Sequence, residues 1–200
     1  MADEHVRWWS AMVKIGFIVE GDTESIIVNS PAFISFLRAK NFELVTPVID
    51  AKGGGNLLPK YVDNFVERLR NVGAERICIL TDLEDAASTA DVQARIAHQD
   101  VDISFIAVKA VEAWFLADSE AMKKWLKVDV FNEELPESTT EMPWDRLKEI
   151  SRELGKQGPG SSKTAFAKRM VTHHGFDIQS SASNPACPSA RELVDWFENQ

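Results

Sequence analysis

The sequence predicts an α/β protein: a mainly parallel four-stranded sheet flanked by helices, with a helical C-terminal extension. Two observations predict it. Short apolar, β-branched runs alternate with amphipathic helical stretches through the first 110 residues. The 200 residues are 44% hydrophobic and 26% charged, which suits one globular core and excludes wholesale disorder or a collagen-like repeat. Right-handed crossovers then bring every strand's C-terminal end to one edge, where open sheets bind ligands.

Residues 1–12 read as a leader, with Trp8 and Trp9 packed on the body. Lys14–Val19 is a buried strand. Glu20-Gly21-Asp22-Thr23-Glu24 leads into a helical pattern through Ile26, Ile27, Phe33, Phe36 and Leu37, which Pro31 kinks or splits. Leu44–Ile49 is the second strand. Gly53-Gly54-Gly55 is a turn, and Asn56 caps a helix to about Arg70 with apolar residues at helical spacing. Glu75–Thr81 is the third strand, closed by Asp82-Leu83-Glu84-Asp85. Ser88 or Thr89 starts a helix to about His98, and Ile103–Val108 is the fourth strand. Val111–Ala117 and Ser119–Leu126 are short helices. Their Trp114 and Phe115 read as core rather than as a base-stacking surface.

Residues 1–127 form the α/β core, and 128–200 a helical extension packed on it within one structural domain. In the extension, 128–142 is an acidic loop, Pro143–Leu154 a helix, Gly155–Ser162 a loop and Lys163–His173 a basic helix. Ser189–Phe197 is a final helix with Ser189 and Glu192 as a capping box. Gly155 to Thr164 fails as a phosphate loop: Pro159 interrupts it, no Gly precedes Lys163, and a helix precedes it where a strand is needed. Adjacent His173 and His174 point about 100° apart on a helix and do not share a metal.

The apolar runs fall far short of the ~20 residues of a membrane span. The acidic start Met1-Ala2-Asp3-Glu4-His5 is unlike a signal peptide, so the expected location is the cytoplasm. Cys78 and Cys187 make neither a disulfide framework nor a Cys-rich zinc site. The net charge of −9 argues against indiscriminate nucleic-acid binding. That charge is uneven. Asp129 to Glu149 is rich in acids, whereas Gly155 to Phe176 has none and carries Lys156, Lys163, Lys168, Arg169, His173 and His174.

Two acidic clusters end two strands: Glu20 with Glu24, and Asp82 with Glu84 and Asp85. If strands one and three are neighbours, these carboxylates converge, raise one another's pKa, and are relieved by a divalent cation. Hard oxygen ligands suit Mg²⁺ or Mn²⁺. The plainer reading makes Glu24 a helix-dipole partner and Asp82 a turn residue. Glu112 near the end of the fourth strand is a further candidate ligand, its plainer role being a pair with Lys109 or a helix cap. Ser161 or Ser162 at a helix N-terminus, beside Lys163, is a candidate phosphate contact, its plainer role being an ordinary solvated helix cap.

Phe17-Ile18-Val19-Glu20-Gly21-Asp22-Thr23-Glu24 resembles the first TOPRIM motif, and Ile79-Leu80-Thr81-Asp82-Leu83-Glu84 is similar to the second, with Glu84 where the family has Asp. Val111 to Asp118 and Cys187 to Arg191 resemble segments of small stand-alone OLD-like (overcoming lysogenization defect) proteins. The resemblance implies a TOPRIM-like fold and metal-dependent phosphodiester chemistry on DNA or RNA. It implies one Mg²⁺ or Mn²⁺ on Glu20, Asp82 and Glu84 (or Asp85), and a second ion helped by Glu24 and Glu112. Lys163, or else Lys168, is the implied catalytic cation beside Glu20 and Asp82. Gly21, Ser162 and Lys168 are the candidate substrate-binding positions. The implied setting is bacterial defence or DNA repair, with an AAA-type ATPase supplied in trans. The alternatives are a non-catalytic TOPRIM-fold subunit of such a complex and, on an unrelated doubly wound fold, a phosphotransfer protein with Asp82 as nucleophile.

Overall fold

The computed structural model describes residues 12–200, so Trp8 and Trp9 lie outside it. Among the described residues the chain is an α/β protein around a sheet whose strand pairs are all parallel. β1 (Val13–Val19) lies beside β4 (Arg76–Asp82), and β4 beside β5 (Ile103–Ala107). On the other side of β1 run β2 (Phe42–Leu44) and β3 (Ile49–Asp50). Among the described residues the sheet therefore has five strands, not four. The expected strand Leu44–Ile49 is broken, since Pro47 has no N–H to pair. β2 pairs with the start of β1 (Val13 with Phe42), β3 with its end (Val19 with Asp50).

Alternation along the strands gives the sheet two apolar faces. Ile15, Phe17, Val19, Cys78, Leu80 and Phe105 face one layer, and Ile18, Ile77, Ile79 and Ile106 the other. The second face is closed by α3 (Pro59–Asn71) and α4 (Thr89–Ile96) through Val62, Leu69, Val92 and Ile96. Gly16 lets α3 come close: a Cβ there would stand 2.9 Å from the Leu69 methyls. The first face is closed by α1 (Asp22–Val28), α2 (Pro31–Ala39) and, from the far end of the sequence, α10 (Pro188–Glu198). Phe197 on α10 packs on Phe17, Phe36, Phe42 and Phe105.

Pro31 splits the first helical stretch. It takes the first position of α2, and the Ser30 hydroxyl accepts the Phe33 N–H at 3.2 Å. Pro59 likewise starts α3, so Asn56 is not its cap. Asn56 instead sits in a 3₁₀ turn over Gly54–Leu57 and donates to the Ala51 carbonyl at 2.7 Å. α5 (Glu112–Ala117) and α6 (Ser119–Leu126) follow β5 as expected, with Trp114 and Phe115 fully buried.

In the extension, α7 (Pro143–Glu153) precedes α8 (Lys163–Arg169). The expected basic helix is α-helical only to Arg169. A π-turn over Met170–His174 then ends at Gly175, whose φ is +70°. α9 (Ile178–Ser183) is an element the sequence did not announce. Ser189 is not a cap. α10 starts one residue earlier, at Pro188, and the Ser189 hydroxyl is used elsewhere. Among the described residues no helix is long and apolar enough to cross a membrane.

Candidate active site

The parallel strands deliver their final residues to one edge, and three of them end in acids. β1 runs into Glu20, β3 ends in Asp50 and β4 ends in Asp82. A cavity of about 450 Å³ opens there, lined among others by Glu20, Gly21, Glu24, Asp82, Glu112 and Lys163. The sheet register fixes Glu20. Its carboxylate accepts the Thr81 hydroxyl and, at 3.2 Å, the Asp82 N–H from the neighbouring strand. Its other oxygen accepts the Gly54 N–H at 3.1 Å, and a Cβ at Gly54 would stand 3.1 Å from that oxygen. Asp82 accepts the Val111 N–H at 2.9 Å, which ties the end of β4 to the start of α5.

Two helix starts complete the wall. Glu24 lies in the first turn of α1 and is 5% exposed, and Glu112 opens α5 at 1%. Lys163 is the first residue of α8, oriented by Ser162, whose hydroxyl accepts the Ala165 N–H at 3.1 Å. α8 packs on α1. The Lys163 ammonium comes within 3.2 Å of the Glu112 carboxylate.

Six carboxylates, of Glu20, Asp22, Glu24, Asp50, Asp82 and Glu112, thus line one cavity with two ammonium groups, those of Lys52 and Lys163. Burial, then the charges of Glu112 and Glu20, push Glu24 up from 4.5 to about 7. Burial, then Glu24, Glu112 and Glu20, push Asp82 well above the usual carboxylate range. At the rim, exposed Lys52 reaches Asp50 at 2.6 Å and Asp22 at 3.1 Å. The Lys52 hydrogen bond holds Asp22 below its ordinary value, with a small contribution from Lys168.

Of the sequence-predicted positions, Glu20, Gly21, Glu24, Asp82, Glu112 and Lys163 line this one cavity. Ser162 serves as the cap of α8, and Lys168 lies exposed further along that helix. Glu84 and Asp85 do not line the cavity. They stand exposed on the turn after β4, where Glu84 has φ +48° and donates its N–H to the Lys109 carbonyl at 2.9 Å. The grouping of Glu20, Asp82 and Glu84 implied by the resemblance is therefore not assembled. Glu112 does not pair with Lys109, whose ammonium binds the carbonyls of Thr139 and Glu141. Sequence reasoning missed Asp50 and Lys52, although the rule that picks out Glu20, an acid at the end of a parallel strand, picks out Asp50 equally.

The donor set is hard oxygen, the chemistry that suits Mg²⁺ or Mn²⁺. Mutual repulsion of the buried acids gives a cation something to relieve. Among the described residues, however, no group of three His, Cys, Asp or Glu side chains stands ready-made to hold an ion. Glu20 and one oxygen of Asp82 are engaged by protein donors.

A second buried acid lies outside this cavity. Glu137, within the acidic stretch 128–142, is 5% exposed. It accepts the Ser189 hydroxyl at 2.5 Å, the Ser189 N–H at 3.1 Å and the Cys187 thiol at 3.2 Å. The Ser189 oxygen in turn accepts the Trp114 indole N–H at 2.8 Å. Burial raises Glu137, and these hydrogen bonds oppose the rise.

Compared with known protein families, with curated proteins and with solved structures, the chain matches none.

Proposed function

We propose that the chain is a TOPRIM-like, divalent-metal-dependent phosphodiesterase that cuts nucleic acid. The observation that carries this reading is the convergence of Glu20, Glu24, Asp82 and Glu112, from four separate elements, on one cavity at the sheet edge with Lys163 inside it. Glu24, Asp82 and Glu112, with Glu20 beside them, would hold Mg²⁺ or Mn²⁺. When bound, the ion supplies an activated water and neutralises charge on the phosphoryl oxygens. Lys163 brings an ammonium that can exchange Glu112 for a phosphate oxygen. Lys52 offers a second, exposed ammonium at the rim. A net charge of −9 gives little general attraction to a polyanion, so a partner, such as an AAA-type ATPase acting in trans, completes the grip in this proposal.

One observation favours a second reading, a non-catalytic TOPRIM-fold subunit: the Glu20 carboxylate is already held by Thr81, Asp82 and Gly54. The two readings part in one experiment. Purified protein is incubated with plasmid, single-stranded DNA and RNA in Mg²⁺, Mn²⁺ or EDTA. The nuclease reading expects metal-dependent products, lost by about 10³-fold or more in Glu20→Ala and Asp82→Ala. Ion binding with no cutting of any substrate selects the subunit. Absence of both removes the two together.

A further inference from the structure

A second cleft, of about 370 Å³, lies between the end of α6 and the extension, lined by Trp125, Lys127, Lys156, Arg169 and His174 together with the Gly155–Gly158 turn. No carboxylate lines it. Among the described residues Lys127, Lys156, Arg169 and the adjacent Lys124 form no ion pair. Lys156 donates to the Lys127 carbonyl at 3.2 Å, and Arg169 to the Pro159 carbonyl at 2.6 Å. These contacts fix the side chains and leave their charge unneutralised. The nearby Asp177 is spent capping α9, accepting the Gln179 N–H at 3.0 Å. His174 reports the crowding: burial, then His173, Arg169, Lys124 and Lys127, hold it below its ordinary pKa. The cleft itself thus carries positive charge with no carboxylate in its lining, Glu120 and Asp129 standing in the neighbouring hollow that they share with Lys124 and Lys127.

The position adds a second argument. α8 begins at Lys163 in the acidic cavity and ends at Arg169 in the basic cleft. Six residue steps at 1.5 Å each make about 9 Å along the axis. Exposed Lys168 lies between the two. Half-buried Trp125, packed edge-on against Phe166 at 4.8 Å, gives the cleft an aromatic wall of the kind that accepts a base.

We propose that the basic cleft of Trp125, Lys127, Lys156 and Arg169 binds phosphate, taking one phosphate of a nucleic-acid strand whose backbone continues along α8 toward Lys163. The assignment deepens the reading given under Proposed function, since it supplies a backbone grip that an acidic cavity lacks.

The test is run in EDTA, so that it reads binding alone and cleavage has no part in it. Anisotropy of a fluorescein-labelled 12-nucleotide single strand is titrated with the full chain over a range of salt. Lys127→Gly with Lys156→Ala removes two exposed ammonium groups. Glycine suits the Lys127 backbone, whose φ is +52°. Binding should weaken at least about tenfold, and the slope of log K against log salt should flatten by about 0.7 for the one lost phosphate contact. Lys60→Ala, an exposed lysine on α3, should change affinity less than about twofold. Competition by pyrophosphate or a mononucleotide at micromolar concentration would assign the phosphate site to a small ligand. Resistance to both supports the strand. Equal loss in the double variant and in Lys60→Ala, or no binding by the wild type, overturns the proposal. Strand binding without cutting in Mg²⁺ or Mn²⁺ would sink the nuclease reading and leave this one standing.

Discussion

Glu24 and Glu137 are equally buried acids in opposite circumstances. Glu137 faces donors: a hydroxyl, a backbone N–H and a thiol. Among the described residues Glu24 has only the backbone N–H groups of its own turn as donors, and burial first, then the charges of Glu112 and Glu20, drive its proton affinity up. The first carboxylate closes a polar network that fastens the 128–142 stretch to the start of α10. The second is held in an arrangement that costs stability once it ionises. A buried acid with neutral donors belongs to the architecture, whereas one among like charges calls for something from outside.

The sharpest way to break this contrast is to delete each acid. Glu137→Ala should cost about 4 kcal/mol in urea unfolding, because it leaves a void and strips the acceptor from the Ser189 hydroxyl and N–H. Glu24→Gln should have the opposite sign. The Glu24 pKa is raised on folding, so the folded state is fully favoured below the ordinary 4.5, and that advantage is lost as pH climbs through about 7. Above that the ionised group costs on the order of 3 kcal/mol, and Glu24→Gln should recover about that much at pH 8 and almost nothing at pH 4. Destabilisation of Glu24→Gln at pH 8 would erase the contrast. Saturating Mn²⁺, at about a hundred times its Kd, should raise wild-type stability by about 2.7 kcal/mol. The same addition should do much less for Asp82→Asn and nothing selective through Glu137. Ser189→Ala should cost the least, about 1–2 kcal/mol, since it removes one hydroxyl between Glu137 and the Trp114 indole.

The α/β plan was legible because strands and helices announce themselves by period, and the acids at the ends of β1 and β4 were legible because parallel strands must deliver their ends to one edge. Pro31 was rightly read as a residue that kinks or splits the first helical stretch, but Asn56 was misread as a cap because the following Pro59 takes the first helical position by itself. Ser189 was misread for a related reason: a Ser three residues before a Glu looks like a capping box until a distant acid, Glu137, claims its hydroxyl. That acid was itself invisible. It lies in a stretch crowded with other acids, where solvent exposure is the natural reading, and only the fold brings donors 50 positions away against it. Glu84 failed differently. It keeps the right spacing from Asp82, yet the left-handed turn at its own backbone swings it out of the cavity.

Phe197 sits where the rings from β1, β2, β5 and α2 meet. Without that ring α1 and α2 still cover part of this face, but Phe17, Phe42 and Phe105 lose the one aromatic group on which all three meet. Cleavage just before Trp196 would therefore open this face by removing a ring that comes from a segment remote in sequence from the strands it covers.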